Sequence, residues 1–227
     1  MKTTESTGIR MSAERPVLFS GPLVRAILDG RKTVTRRLVT PATSTVGGVG
    51  WGQKAWNERL LWDCGEGPWV DPGFDDNCAY LKVRSLMVDG FDAEQVVRVR
   101  CRIEPADVLY VRETWATVGG EVVYRATFAN GADPDDARNV LDEGRWRPSI
   151  HMPRWASRID RRIVSVRPER LQAITPAEIV REGIEPEGES VTELRQQWID
   201  LWDSINGKRA PWADNPWVWR IEFERCR

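Results

Sequence analysis

A short amphipathic helix followed by a sharp cationic turn is the feature that most constrains how this chain can fold. Leu23, Ile27 and Leu28 share one face at helical spacing, so the pattern predicts a helix over residues 22–29. Gly30 follows directly, and a glycine there allows the helix to end in a left-handed conformation. Four cationic side chains come next: Arg31, Lys32, Arg36 and Arg37. Compensation of the helix dipole accounts for only the first one or two of them.

Lys32 stands out because the chain relies on arginine for nearly all of its positive charge. Only five of the 33 basic residues are lysines. Burial or neighbouring cations can lower the pKa of a lysine until it loses its proton, whereas arginine stays charged. A lysine of this kind beside the hydroxyl of Thr33 or Thr35 is a candidate base for a nucleophile. The alternative is that Lys32 is an ordinary charged residue.

The turn and several later segments resemble one known family. The pattern Gly30-x-Lys32-x-x-Thr35-x-Arg37 is similar to the G-x-K-x-x-[TE]-x-R signature of ASCH domains, a branch of the PUA-like superfamily. Four blocks resemble ASCH proteins carried by phages and prophages, in the same order: residues 16–37, 108–115, 147–158 and 216–223. The resemblance therefore covers most of the chain, except residues 1–15 and 41–100.

This resemblance implies a PUA-like fold and a set of catalytic residues. Some small bacterial ASCH proteins are amidohydrolases that deacetylate N4-acetylcytidine with a lysine, a threonine and a glutamate. The matching residues are Lys32 as base and charge stabiliser, Thr35 as nucleophile, and Glu182 as proton handler or orienter. Arg37 or a backbone N–H of the turn would hold the oxyanion, as amide hydrolysis requires. Without the resemblance, Glu182 is a solvent-facing residue at a helix end.

Strand patterns outnumber helix patterns in the rest of the chain. Strands are predicted at residues 16–20, 35–39, 80–88, 96–101, 108–115, 122–126, 159–167 and 217–223. A capping box at Thr175 and Glu178 predicts a short helix that ends at Gly183. Residues 191–205 form a second helix, whose apolar stripe we interpret as core: Leu194, Trp198, Leu201, Trp202 and Ile205. We expect an α+β fold, a small mixed PUA-like β-barrel with short helices at its mouth.

The length of 227 residues suits one domain that carries an insertion. Residues 1–15 are polar and predict a disordered tail, which leaves residues 16–227 as a single ASCH-like domain. A segment rich in Gly and Trp, at about residues 41–95, is the predicted insertion. Its tryptophans are interpreted as packing residues of a small β-rich lobe, with stacking platforms for bases as the alternative.

The net charge of −1 gives no overall attraction to nucleic acid or membranes, but the charge is unevenly distributed. Residues 145–170 carry eight arginines against two acidic residues, while residues 171–205 are acidic. This distribution predicts a basic face and an acidic face. No apolar run reaches the length of about 20 residues that a membrane-spanning helix requires, so no membrane partner is expected.

The four cysteines are irregularly spaced and include no CxxC pair, which predicts a reducing cytoplasm, that of the host if the chain is phage-encoded. A zinc site from Cys64, Cys78, Cys101 and His151 is the alternative to ordinary thiols. Their spacing gives it no support. We therefore predict neither a metal nor a cofactor.

Eight further residues are candidates for contact with a substrate or nucleic acid: Arg31, Arg36, Arg37, Arg112, Glu113, His151, Arg154 and Trp155. For Glu113 we favour a structural role, as partner of Arg112 or of an arginine in the signature. For His151 we favour a hydrogen-bonded structural histidine over a contact with a phosphate or base.

Two main functions remain open at this point, with a third behind them. The first is hydrolysis of N4-acylated cytidine or a related modified base. The second is a non-catalytic reader that binds nucleic acid, RNA in preference to DNA, through the basic turn and the Arg-rich segment. The third is a phage assembly or host-interaction protein. Lys32→Arg separates the first two, because a reader tolerates it and a base catalyst does not.

Overall fold

The structure is a computed structural model that describes residues 12–39, 78–85, 93–128, 145–186, 188 and 190–226. Short β-strands make up most of its regular secondary structure. The strands are β1 (Glu14–Leu18), β2 (Val34–Leu38), β3 (Cys78–Ser85), β4 (Ala93–Arg100), β5 (Val108–Arg112), β6 (Trp115–Val118), β7 (Glu121–Tyr124), β8 (Asp160–Arg170) and β9 (Trp217–Arg225). The α-helices are α1 (Gly21–Leu28), α2 (Pro176–Arg181) and α3 (Val191–Asn206).

Five of the strands form one mixed sheet in the order β1-β5-β8-β9-β2. The β1–β5 pair is parallel, and the other neighbouring pairs are antiparallel. Strands β3 and β4 form a separate antiparallel pair, as do β6 and β7. The α+β class predicted from the sequence is therefore confirmed. The described strands do not close into a barrel, since β1 and β2 remain at the two edges of the larger sheet.

The prediction of one continuous strand over residues 108–115 was wrong. Leu109 and Val111 are buried on one face, as the alternation indicated, but β5 ends at Arg112. The next residue leaves the ladder because its backbone N–H points at the sulfur of Met152, 3.2 Å away, and its carboxylate pairs elsewhere. The chain then begins β6, which belongs to a different sheet.

The main apolar core lies between the five-stranded sheet and α1. This helix buries Val24, Ala26 and Ile27. The sequence pattern had assigned Leu23 and Leu28 to the buried face, but Leu28 is largely exposed and Leu23 is only partly buried. A second core packs α2 and α3 against β9 through Leu171, Ile174, Ile179, Leu194, Trp198, Trp202 and Val218. The predicted core role of α3 is therefore confirmed for its most buried residues.

Several sequence predictions concern residues that the structure does not describe. They are most of the N-terminal tail and of the insertion, including Trp51, Trp56, Trp62 and Trp69. Within the predicted tail, regular structure begins at Glu14, two residues earlier than the expected domain start. No helix in the described part of the chain is both long and apolar enough to cross a membrane.

Candidate active site

Lys32, Thr35 and Glu182 line one cavity of about 440 Å³. They come from the turn after α1, from β2 and from the residue that caps the C-terminus of α2. Lys32 and Glu182 are 150 positions apart in the chain, yet their side chains are in direct contact. The structure thus brings together the three residues that the family resemblance singled out.

Backbone hydrogen bonds fix the basic turn between α1, α2 and β9. Gly30 has a φ of +77°, which turns the chain away from the helix axis. The Lys32 N–H then donates to the Ala26 carbonyl oxygen at 2.9 Å. Thr33 donates its N–H to the Arg181 carbonyl oxygen at 2.9 Å, so the turn is held directly against the end of α2.

The Lys32 side chain is buried and fully hydrogen-bonded. Only 2% of the residue is exposed. Its Nζ donates to the carbonyl oxygens of Val34 and Glu182, at 2.8 and 2.7 Å, and to the Glu182 carboxylate at 2.8 Å. The ring of Phe19 lies 5.2 Å from the same nitrogen. Burial lowers the pKa of Lys32, and the negative charge of Glu182 opposes this effect.

This arrangement satisfies two protonation states of the pair. An ammonium group at Lys32 uses its three N–H donors on the three acceptors around it. A neutral amine would donate to the two carbonyl oxygens and accept from a protonated Glu182 carboxyl. The proton can therefore move between the two side chains over 2.8 Å without rearrangement. A pair of this kind can accept or release a proton during a reaction.

Arg36 holds the other side of Glu182. Its buried guanidinium donates to the carboxylates of Glu169, Glu178 and Glu182, at 2.7, 2.8 and 3.0 Å. The sequence analysis had named Arg36 as a contact for substrate or nucleic acid. Because three glutamates receive its hydrogen bonds, Arg36 instead positions Glu182, while Lys32 holds the second oxygen of that carboxylate.

The ion pairs continue from Arg36 to the end of the sheet. Arg220 on β9 donates to Glu178 at 2.7 Å and to Glu222 at 3.0 Å. Glu222 also pairs with Arg181, the last residue of α2. Cations and carboxylates alternate along this path, so the buried charges compensate each other. The network links α2 to both β2 and β9.

Glu178 serves both the network and the start of α2. It forms the predicted capping box with Thr175, in which each side chain bonds the other residue's backbone N–H. Burial raises the pKa of Glu178, but hydrogen bonds from Arg220 and the charge of Arg36 outweigh this effect and hold the pKa below its usual value. The helix cap is thereby coupled to the charged residues around the cavity.

Thr35 provides one of the four hydroxyl groups that line the cavity, with Ser20, Thr114 and Ser149, and it is the buried residue among them. The residue is 4% exposed, and its side chain forms no hydrogen bond with any residue that the structure describes. No hydrogen bond joins it to Lys32, whose three ammonium donors are used on the Val34 and Glu182 acceptors. The Thr35 hydroxyl can therefore form its hydrogen bonds with a bound ligand.

Arg37 is the cation of the cavity that remains free of carboxylates in the described structure. Its guanidinium stacks 5.1 Å from the centre of the Phe19 ring and donates to the Leu18 carbonyl oxygen at 2.8 Å. Burial lowers the pKa of Arg37, and the charge of Glu182 opposes this. A positive group with unused donors beside the Thr35 hydroxyl can stabilise a developing oxyanion.

Helix α3 supplies an apolar wall that the sequence analysis had assigned to the core alone. Four residues of its stripe line the cavity: Trp198, Leu201, Trp202 and Ile205. The stripe extends past the core, since Ile205 is 60% exposed. Polar groups line other parts of the cavity: Ser20, Thr114, Ser149 and Asn206. An apolar pocket with a few polar groups is typical of sites for small molecules.

The remaining candidate residues lie outside this cavity, and four of them have structural partners. Arg31 pairs with Asp29 at 3.1 Å. Arg112 donates to the Met152 carbonyl oxygen at 2.8 Å and so holds the turn at that residue. Glu113 is buried and makes a two-fold contact with Arg158, at 2.9 and 3.1 Å, which gives it a structural role with a partner other than those expected. Arg154 pairs with Glu14 and Asp160.

His151 and Trp155 are exposed on neighbouring short 3₁₀ turns. The His151 ring forms no hydrogen bond with a described residue, in contrast to the structural role that the sequence favoured. Trp155 is 70% exposed and contacts the buried Trp115 edge to face, with ring centroids 5.9 Å apart.

Within the residues that the structure describes, no three His, Cys, Asp or Glu side chains are grouped as metal ligands. Cys64, part of the zinc alternative, lies outside them. Comparison with models of known protein families found no match, and neither did comparisons with curated proteins and with solved structures.

Proposed function

We propose that this protein is an amidohydrolase of the ASCH branch of PUA-like proteins, and that it acts on an N-acylated nucleobase such as N4-acetylcytidine. The observation that carries the proposal is the cavity that contains the buried Lys32–Glu182 pair and the free hydroxyl of Thr35. Nucleophile, proton carrier and cation are the parts that amide hydrolysis needs. The mixed sheet with short helices is compatible with a PUA-like barrel, which belongs to the same proposal.

In the proposed reaction, the Thr35 oxygen attacks the acyl carbon and Lys32, as a neutral amine, takes the hydroxyl proton. This step requires Lys32 to exchange one of its present hydrogen bonds for one with Thr35. Arg37 stabilises the oxyanion. When the C–N bond breaks, Lys32 returns the proton to the departing amine of cytosine. Water then hydrolyses the threonine ester, which releases acetate and restores the hydroxyl.

The first test is to incubate the purified protein with N4-acetylcytidine, free and within RNA, and to follow the release of cytidine. We expect Thr35→Ala to lower kcat by at least about a thousandfold and Thr35→Ser to retain part of the activity, since the serine keeps an attacking oxygen. Thr33→Ala is the matched control, because the Thr33 hydroxyl bonds Arg181 and does not line the cavity. Equal losses in the two alanine variants would contradict a nucleophilic role for Thr35.

A nucleic-acid reader is the second candidate, and the exposure of Trp155 and Ile150 favours it. Exposed aromatic residues can stack on bases of a single strand. Lys32→Arg is a poor discriminator here, because Lys32 is buried and its ammonium group makes three short hydrogen bonds that a planar guanidinium does not reproduce. Trp155→Ala and Thr35→Ala are better. If the protein is a reader, only Trp155→Ala lowers its affinity for RNA. If it is the enzyme, only Thr35→Ala abolishes cleavage of the free nucleoside.

A further inference from the structure

A second cavity adjoins the basic turn, between the end of α1 and the neighbouring strands β8 and β9. Lys32 is the one lining residue that the two cavities share, so this cavity is distinct from the one that contains Thr35. Its volume of about 510 Å³ lies within the range of about 300–1,000 Å³ that is usual for small-molecule sites. The proposed reaction makes no use of it.

Two arginines face each other in this second cavity. The pairing of β8 with β9 puts Arg161 directly opposite Arg225, and both residues line the cavity. Residues in this relation have Cβ atoms about 4.5–5.5 Å apart, and like charges there destabilise the sheet. Burial lowers the pKa of Arg161, and the positive charge of Arg225 lowers it further. The fold thus holds two cations close together at a cost in stability.

Both guanidinium groups have donors left for a ligand. Arg161 uses two of its five N–H groups, on the carbonyl oxygens of Asp160 at 2.9 Å and Ile27 at 3.0 Å. The second bond holds its guanidinium beside the last turn of α1, where Ile27 also lines the cavity. Arg225 makes no ion pair or side-chain hydrogen bond with any residue that the structure describes. Arg161 is half-buried and Arg225 is exposed, so a ligand can reach both.

The carboxylates that line the cavity do not pair with the two arginines. Asp29 is held by Arg31 at 3.1 Å. Glu224 lies opposite Arg162 in the ladder, one position from the facing arginines. Because successive side chains of a strand point to opposite faces, the ladder places Glu224 and Arg162 on the other face of the sheet. Two positive charges therefore remain for a bound anion.

We propose that this cavity binds a phosphomonoester between Arg161 and Arg225. A phosphomonoester carries close to two negative charges at neutral pH, which match the two cations. The planar guanidinium of arginine bonds phosphate oxygens in a two-fold manner, so the unused donors suit this ligand. A phosphodiester, as in a nucleic-acid backbone, carries one charge and fits less well. The bound anion removes the repulsion between the arginines. This site is independent of the proposed hydrolysis.

Calorimetric titration at about pH 7.5 with methyl phosphate and dimethyl phosphate tests the proposal. We expect the unaltered protein to bind methyl phosphate at least about tenfold more tightly than dimethyl phosphate. Arg225→Gln should weaken the binding of methyl phosphate on the order of tenfold, because it removes one charged donor group. Arg162→Gln is the matched control: it removes the same charge from the other face of the same sheet and should leave the affinity unchanged.

Thermal unfolding shows whether Arg225 acts on the ligand or on the fold. Without phosphate, Arg225→Gln should melt at the same temperature as the unaltered protein or higher, because the repulsion is relieved. Methyl phosphate should raise the melting temperature of the unaltered protein and of Arg162→Gln, with little effect on Arg225→Gln. Equal binding by the three proteins, no binding by any, or equal affinity for the two esters would overturn the proposal.

Two larger probes identify the source of the phosphate group. They are adenosine 5′-monophosphate and a short oligoadenylate with a 5′-terminal phosphate, each compared with its unphosphorylated form. Tighter binding of the mononucleotide supports a small-molecule site, and tighter binding of the oligonucleotide supports a site for a nucleic-acid end. In both cases Arg225→Gln should abolish the advantage of the phosphorylated form. An advantage that persists in Arg225→Gln would overturn the assignment of the phosphate to this cavity.

Discussion

Glu182 holds two buried cations, whereas Lys32 has one carboxylate partner in the described structure. Lys32→Met removes one charge and leaves Glu182 paired with Arg36. Glu182→Gln leaves the Lys32 ammonium buried without a counter-charge. Breaking a buried ion pair so that one charge remains uncompensated costs about 3–5 kcal/mol. We therefore expect Glu182→Gln to lower the free energy of unfolding by about 3–5 kcal/mol and Lys32→Met by about 1–3 kcal/mol.

Urea unfolding followed by circular dichroism at pH 7 measures both changes. Lys208→Gln serves as control, since it removes a positive charge from an exposed position and should change stability by less than about 0.5 kcal/mol. The opposite order, with Lys32→Met the more damaging, would mean that Arg36 does not hold Glu182 in the folded protein.

Sequence reasoning could name the residues of the cavity but could not assign the role of each. Lys32 was noticeable because lysine is rare in this chain, and Thr35 because it follows in the same motif. Arg36 belongs to the same cationic cluster, and nothing in its local sequence separates it from its neighbours. Its partners Glu169 and Glu178 lie 133 and 142 positions away, and only the packing of β8 and α2 in the folded chain brings them within hydrogen-bond distance.

At the level of secondary-structure elements, the junction of α2 with the basic turn depends on Gly183. This residue has a φ of +94°, and a Cβ there would lie 2.9 Å from the Cβ of Ala26 and 3.1 Å from that of Lys32. Gly30 also has a positive φ, of +77°, but a Cβ would meet no atom within 4 Å. A substitution at Gly30 therefore tests backbone strain alone, whereas one at Gly183 tests backbone strain together with close packing.

We expect Gly30→Ala to cost about 1–2 kcal/mol of stability, from the left-handed backbone alone. Gly183→Ala adds overpacking of about 1–3 kcal/mol to a similar strain, and it pushes against the stem of Lys32. Denaturant midpoints measure the loss of stability in both variants, and cleavage of N4-acetylcytidine measures the displacement of Lys32 in Gly183→Ala. Activity should fall markedly only in Gly183→Ala, and equal activity in the two variants would show that this contact does not position Lys32.

Local patterns predicted elements well where the signal was also local. The capping box of Thr175 and Glu178 correctly located the start of α2, because both members act within one turn. The buried face of α1 was predicted correctly only for Ile27, because a helix of 8 residues gives few positions from which to define a stripe. The end of β5 was missed because the ion pair between Glu113 and Arg158, 45 positions apart, removes the chain from the ladder.

For the whole molecule, the excess of positive charge in residues 145–170 forms a basic surface only in part. Arg154, Arg158 and Arg167 approach carboxylates, and Arg161 donates to backbone carbonyl oxygens. Internal partners thus use much of the positive charge of residues 145–170. Three arginines of that segment form neither an ion pair nor a side-chain hydrogen bond with a described residue: Arg145, Arg147 and Arg162.

This distribution predicts a shallow salt dependence for any binding of single-stranded RNA through this segment. Each phosphate contact adds about −0.7 to the slope of log K against log salt concentration, so these three arginines give about −2, whereas eight would give about −6. Anisotropy titrations with a labelled oligonucleotide at several salt concentrations measure the slope.

Replacing Arg145, Arg147 and Arg162 by Gln should remove most of this salt dependence. Arg154→Gln should leave it unchanged, because Glu14 and Asp160 already hold that side chain. A slope near −6 in the unaltered protein would show that RNA displaces the internal ion pairs, and it would favour the reader over the hydrolase.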